Sequence, residues 1–199
     1  MKAKMRALKE NHIVSAAQEI IAKNGGYLVS IQDVARAAGI SKGAVLHYFP
    51  SKKRLFDAVF NNFFAQIFKR SREETAKVSD PIDKLKSFAD WLYNADDPAV
   101  PIGYPLIFEC MHRAVNDKAF RDVFSGWITN WISILEEIIR EGISQGRIKD
   151  TDPTETAMAI SAIYQGVASR WYLDRSRHTT RWAKKTIKKS IDLMVGTDV

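Results

Sequence analysis

Lys42, His47 and Lys52 stand five residues apart, and of all the side chains in this 199-residue sequence theirs are the types and spacing that could do chemistry. Two ammonium groups and an imidazole donate hydrogen bonds to phosphate oxygens and to the acceptor edges of bases, so what they offer is recognition rather than bond making. Nothing in the chain competes with that reading. There is no Gly-rich phosphate loop and no nucleophile motif, and His12, His47, His112 and His178 show no metal-ligand spacing. Neither an enzyme, a metal site nor a cofactor is expected. Cys110 is the single cysteine, so no internal disulfide can form; its neighbours Phe108 and Met111 predict a packed thiol, and the usage fits a reducing cytosol.

Two short helices must present these donors. Ser30 is a good N-cap with Asp33 three residues on, and Ile31, Val34, Ala35 and Ala38 recur at helical spacing. Gly39 follows where the chain must leave the helix with a left-handed residue. Ser41 then caps a second helix from Lys42 to about Tyr48, with Val45 facing the first helix and Lys42, Ala44 and His47 facing away. This is a helix-turn-helix whose outer face suits the major groove of double-stranded DNA. On that reading Lys42, Gly43, Ala44 and His47 contact groove or adjacent backbone, while Tyr48 and Lys52 position phosphates. An ordinary capped hairpin in a core has the same local pattern, and charge separates the two. Residues 1 to 54 hold ten Lys and Arg against three Asp and Glu, and residues 55 to 199 hold twenty against twenty, so the net +7 belongs to the first segment. A basic module beside a neutral body is what phosphate neutralisation requires.

The rest of the chain reads as helices. Lys2, Lys4, Arg6 and Lys9 form a basic arm running into a first helix with Ile13, Ala16, Ala17, Ile20 and Ile21 on one face, ended by Gly25-Gly26. After Phe49-Pro50-Ser51 a long helix begins at Lys52. It carries two apolar stripes, Leu55, Val59, Phe63, Ile67 and Phe56, Phe60, Phe64, Phe68, and therefore needs two packing partners. Further helices follow from Asp80-Pro81, around Leu106 to Met111, from about Asp117 to Gln145, from Asp152-Pro153 and from about Thr180, with a loop at Asp96 to Pro101. The lysines at 184, 185, 188 and 189 make a solvated face on the last helix. Gln18 and Glu19 prevent a signal-peptide core from forming, and no uncharged apolar run reaches the ~18 residues that span a bilayer, so a cytoplasmic protein with no membrane partner is expected.

The body is dense in aromatic residues. Trp91, Tyr104, Phe108, Met111, Trp127, Trp131 and Tyr164 are candidates to line a pocket for an apolar or aromatic effector, a cationic one included; as a stripe at helical spacing they serve equally as core. Glu109 is a candidate polar anchor there, against which stands a plain surface pair with Arg113 at i+4.

Residues 31 to 55, I-Q-D-V-A-R-A-A-G-I-S-K-G-A-V-L-H-Y-F-P-S-K-K-R-L, resemble the bacterial TetR family of one-component regulators, in which a helix and an A-x-x-A-G-[VI]-S-x-G turn precede the recognition helix and Y-F-x-x-K-x-x-L. The body is similar only in helix count and in the G-R-I-K-D-T-D-P connection at 146 to 153. The resemblance implies an all-α subunit of about nine helices. It places a three-helix DNA-binding domain at 1-52 and a helical bundle for ligand binding and dimerisation at 53-199. It implies a homodimer built on the last two helices, repression at a palindromic operator, and release when a small molecule enters the body. Two positions depart from the family: Ala44, where Thr or Ser is usual, and Leu46, where Tyr is usual. No known operator therefore transfers, although either residue can touch a thymine methyl. A DNA-binding architectural or cell-division factor without an effector remains a second reading, and an enzyme or carrier built on the aromatic body a third.

Overall fold

The computed structural model describes residues 2 to 196, and among these the chain forms nine α-helices and no strand. They are α1 (Lys2–Asn24), α2 (Ile31–Ala37), α3 (Lys42–Tyr48), α4 (Lys52–Thr75), α5 (Pro81–Leu92), α6 (Val100–Asn116), α7 (Lys118–Ser144), α8 (Pro153–Leu173) and α9 (Thr180–Val195). The all-α expectation holds. Two compact units contain them: the described part of Met1–Gln66 with Pro101–Ser125, and Ile67–Val100 with the described part of Gly126–Val199.

In the first unit the basic residues Lys2, Lys4, Arg6 and Lys9 sit on α1 itself rather than on an arm leading into it. Ile13, Ala16, Ala17 and Ile21 are buried as their spacing predicts, joined by Val14 and by Gln18, whose amide donates to the Val59 carbonyl at 3.2 Å and to Asn62 Oδ1 at 3.2 Å. A buried amide stays only where it is bonded, so Gln18 ties α1 to α4 in one register. On α4 Leu55, Val59 and Phe63, and beside them Phe56, Phe60 and Phe64, are buried, while Ile67 and Phe68 are half-exposed. The Phe60 ring meets Phe120 edge-to-face at 5.7 Å.

In the second unit Asp80, Asp152 and Thr179 cap α5, α8 and α9 through their side-chain oxygens. Helix α6 starts earlier than the loop read at Asp96 to Pro101 would allow. Val100 and Pro101 form its first turn, where a missing N–H costs nothing. An aromatic cluster fills the interior: Phe88 lies 4.7 Å from Trp131, Tyr164 lies 5.9 Å from Trp131, and Tyr93 stacks on Tyr164 at 6.2 Å. The lysine face of α9 is divided. Lys184 and Lys188 reach Asp90 at 3.4 and 3.2 Å, while Lys185 and Lys189 are exposed as expected.

Gly39 has φ +66, and a Cβ built there meets nothing within 4 Å. Gly39→Ala therefore introduces backbone strain without a clash. It is expected to lower the unfolding free energy by about 1 kcal/mol in denaturant titration, and unchanged stability would show that the left-handed turn is not needed.

Candidate nucleic-acid interface

The turn between α2 and α3 is built from its caps. Ser30 Oγ accepts the Asp33 N–H at 3.2 Å and the Asp33 carboxylate accepts the Ser30 N–H at 2.9 Å, a reciprocal capping box. The Ser30 hydroxyl, donating to Asp33 Oδ2 at 2.6 Å, and then the Ser30 N–H hold the Asp33 carboxyl below its ordinary range. At the far end the Gly39 N–H donates to Arg36 O at 3.2 Å and the Ile40 N–H to Ala35 O at 3.0 Å, the paired bonds of a Schellman stop. His12 donates from Nε2 to the Ala38 carbonyl at 2.8 Å, bracing the last residue before the turn from α1. Ser41 Oγ accepts the Ala44 N–H at 3.1 Å and opens α3.

Val34, Ala35 and Val45 are fully buried between α2 and α3. Lys42, Gly43, Leu46 and His47 are exposed on α3, Ala44 and Tyr48 are half-buried, and the His47 and Tyr48 rings meet edge-to-face at 5.1 Å. Of the outward face read from the spacing, Lys42 and His47 are exposed and Ala44 is half-buried, and Leu46 is exposed beside them. Arg6 lies over the Tyr48 ring at 5.8 Å, bringing one basic residue of α1 to the end of α3.

Lys52, two residues after Pro50 and the first of α4, donates to the Tyr27 carbonyl at 3.3 Å and lies over Phe56 at 5.3 Å. Burial and the Arg113 charge push its ammonium pKa down, against the pull of Glu109 and Asp33. Lys53 is held by both carboxylate oxygens of Asp117 at 3.2 and 2.9 Å, and this bond leads the interactions that keep the Asp117 carboxyl below its usual range. Glu109 and Arg113 do pair, at 2.7 Å, but largely out of solvent rather than on the surface. Arg113 stacks on Phe56 at 4.4 Å, and Gly26 leaves room for Glu109 and Phe56, whose Cε1 would lie 2.7 Å from a Cβ at position 26. His12, Lys53 and Asp117 were not singled out by the sequence pattern. Their partners are 26 and 64 residues away, and no local spacing signals such pairs.

The seven aromatic and Met candidates separate. Tyr104, buried, and Phe108 and Met111, half-buried, lie in the first unit; Trp91, Trp127, Trp131 and Tyr164 lie in the second. Tyr164 donates its hydroxyl to the Leu85 carbonyl at 2.6 Å and receives the Tyr93 hydroxyl on its own carbonyl at 2.8 Å, and burial raises its phenol pKa well above the usual value. Trp91 carries Arg70 over its ring at 4.7 Å, and its Nε1 is buried with no hydrogen-bond partner among the described residues. Cys110 is fully buried, which raises its thiol pKa to about 12 and makes it inert. No group of three or more His, Cys, Asp and Glu able to hold a metal occurs among the described residues. None of their helices is long and apolar enough to cross a membrane.

The sequence and the fold both match known proteins. The family described as "Bacterial regulatory proteins, tetR family" matches residues 13 to 59, and "Tetracyclin repressor-like, C-terminal domain" matches residues 81 to 187. The HTH-type transcriptional repressor KstR2 of Rhodococcus jostii is 24% identical over 82% of this chain and 79% of that protein. The fatty acid metabolism regulator protein of Bacillus subtilis is 26% identical over 74% of each. Among solved structures, a regulator from Saccharomonospora viridis in complex with choline superposes with a TM-score of 0.86 at 20% identity, covering 95% of this chain and 98% of the other.

Proposed function

The chain belongs to the TetR family of bacterial regulatory proteins, so it is a transcriptional regulator and not an enzyme, and from that premise we propose that it is a ligand-responsive repressor acting as a cytoplasmic homodimer on a palindromic operator. One observation carries the DNA-binding part: a capped recognition helix, α3, leaves Lys42, Gly43 and His47 exposed within the segment that holds all of the chain's net charge. In this reading residues 1-52 bind DNA, and residues 53-199 bind the ligand and dimerise. His47, Lys42, Gly43 and Ala44 meet the groove and its edge, and Tyr48 and Lys52 position the backbone. Two recognition helices of a dimer then enter major grooves ~34 Å apart on one face of the duplex.

Exposed apolar side chains on α8 and α9 support the dimer. Met158 and Leu173 on α8 and Leu193 on α9 are each more than half exposed, and Ala159 and Ala162 provide exposed small residues that allow close helix approach. Met158→Glu combined with Leu193→Glu is expected to reduce the solution mass by light scattering from twice 22.6 kDa to one copy. A variant that remains dimeric would move the interface elsewhere.

For the effector, Trp91 is the strongest single residue of the set. A buried indole N–H without a partner costs free energy that a ligand acceptor restores, and Arg70 already occupies its ring face, which favours a neutral or anionic apolar molecule over a cation there. The relative concerned with fatty acid metabolism supports that class. Trp127, Trp131 and Tyr164 lie in the same unit, with Trp131 and Tyr164 inside the buried aromatic cluster. A graded series of straight-chain fatty acids and aromatic acids is expected to raise the melting temperature, and Trp91→Phe to remove most of that rise while keeping DNA binding. If no acid stabilises the parent, the effector-independent reading gains.

Lys52→Ala is expected to weaken binding to any duplex and to reduce the slope of log K against log salt by about 0.9, because one phosphate contact releases about one counterion. His47→Ala is expected to alter sequence preference instead. Asp117→Asn frees Lys53 and is expected to steepen the slope by a similar amount. If all three variants bind as the parent does, the interface is misassigned.

A further inference from the structure

We propose that Tyr27 and Leu28, at the tip of the loop between α1 and α2, form an uncharged contact to the sugar-phosphate backbone of the duplex that α3 reads. The proposal rests on the head being the DNA-binding part.

Tyr27 is 88% exposed and Leu28 72%, which makes Tyr27 the most exposed of the large apolar side chains among the described residues. A lone exposed apolar side chain is ordinary, whereas two large ones side by side at one loop tip form a patch whose placement has a cause. Here the backbone imposes it. Gly25 turns the chain with φ +77, Gly26 is pressed under Phe56 and Glu109, Val29 is buried at 2%, and the Tyr27 carbonyl is tied to Lys52 Nζ at 3.3 Å. Both flanks and the peptide between them are anchored inward, and the two side chains are left pointing out.

The surroundings select the occupant. The carbonyl of Tyr27 touches the lysine assigned to phosphate positioning, and Ser30, two residues after Leu28, opens the first helix of the reading unit. Two acidic groups stand beside this loop and both are engaged, Asp33 by Ser30 and by Arg36 at 3.3 Å and Glu109 by Arg113 at 2.7 Å. The segment carries ten cations against three acids, so a polyanion complements it and an acidic or neutral protein face does so less well. A tyrosine hydroxyl donates to a phosphate oxygen, and the phenol and leucine side chains pack on the apolar face of deoxyribose. Such contacts position the protein without reading sequence.

An uncharged contact leaves a distinct signature. It releases no counterion, so its loss lowers affinity by the same factor at every salt concentration, whereas loss of a lysine changes the slope. The test uses the full chain and a fluorescein-labelled duplex of random sequence several helical turns long, titrated across a range of salt by anisotropy. Tyr27→Phe is expected to weaken binding on the order of tenfold, the worth of one hydrogen bond to a charged group, and Leu28→Ala by a few-fold, with both salt plots parallel to the parent's. Because both side chains are exposed, thermal unfolding should match the parent. Parent-like binding by both variants overturns the proposal, as does a weakening accompanied by a lower solution mass, which would make the tip a protein contact. If Lys52→Ala flattens the slope while the tip variants change nothing, the DNA-binding reading stands and this inference alone fails; if the parent itself ignores DNA, both fall.

Discussion

Val45 is the single buried residue among the seven of α3, and the placement of the recognition helix depends on it. A helix of two turns is not stable by itself in water, because the cost of nucleation is not recovered over so few bonds. Its existence therefore rests on one apolar side chain seated against Val34 and Ala35 of α2, on the Ser41 cap, and on a turn held by Gly39 and by His12. Burying Val45 alone has a second effect: Lys42, Gly43, Leu46 and His47 are left exposed together on so short an element, with Ala44 and Tyr48 half-buried beside them.

The same economy appears at the N-terminus of α4. Lys52 is drawn inward to the Tyr27 carbonyl and Lys53 to Asp117, so both lysines are preoriented and neither sweeps freely through solvent. A preoriented cation loses less conformational freedom on meeting a phosphate, but it must give up or share its present partner. The partner of Lys53 is a full carboxylate with both oxygens engaged, whereas that of Lys52 is one carbonyl. The two neighbouring lysines thus differ in how readily each is available to DNA.

In the second unit, polar atoms decide which aromatic residues are structural. Tyr93 and Tyr164 bury their rings and give their hydroxyl protons to backbone carbonyls, which locks them into the cluster with Phe88 and Trp131. Trp91 differs in having an indole N–H with no partner among the described residues while Arg70, paired with Asp97, covers its ring. A satisfied phenol belongs to the core, and an unsatisfied indole beside a charged pair is where a ligand would gain most.

The sequence by itself determined the helices and the head. Caps, glycine stops and apolar repeats act over three or four residues, so Ser30, Gly39, Ser41, Asp80 and Asp152 marked their boundaries locally, and charge counting located the basic segment. Two boundaries moved for equally local reasons: Pro101 fits a first turn as well as a loop, and the basic residues after Met1 are good enough helix formers to extend α1 to Lys2. Tertiary structure alone decided which side chains meet across 26 to 98 residues: His12 with Ala38, Lys53 with Asp117, Glu109 beside Gly26, and Lys188 with Asp90. It also buried the Glu109 pair and turned Tyr27 and Leu28 outward. Such pairings depend on how whole helix faces pack, and a periodicity that names the buried face of one helix carries no information about which residue of another will lie opposite it.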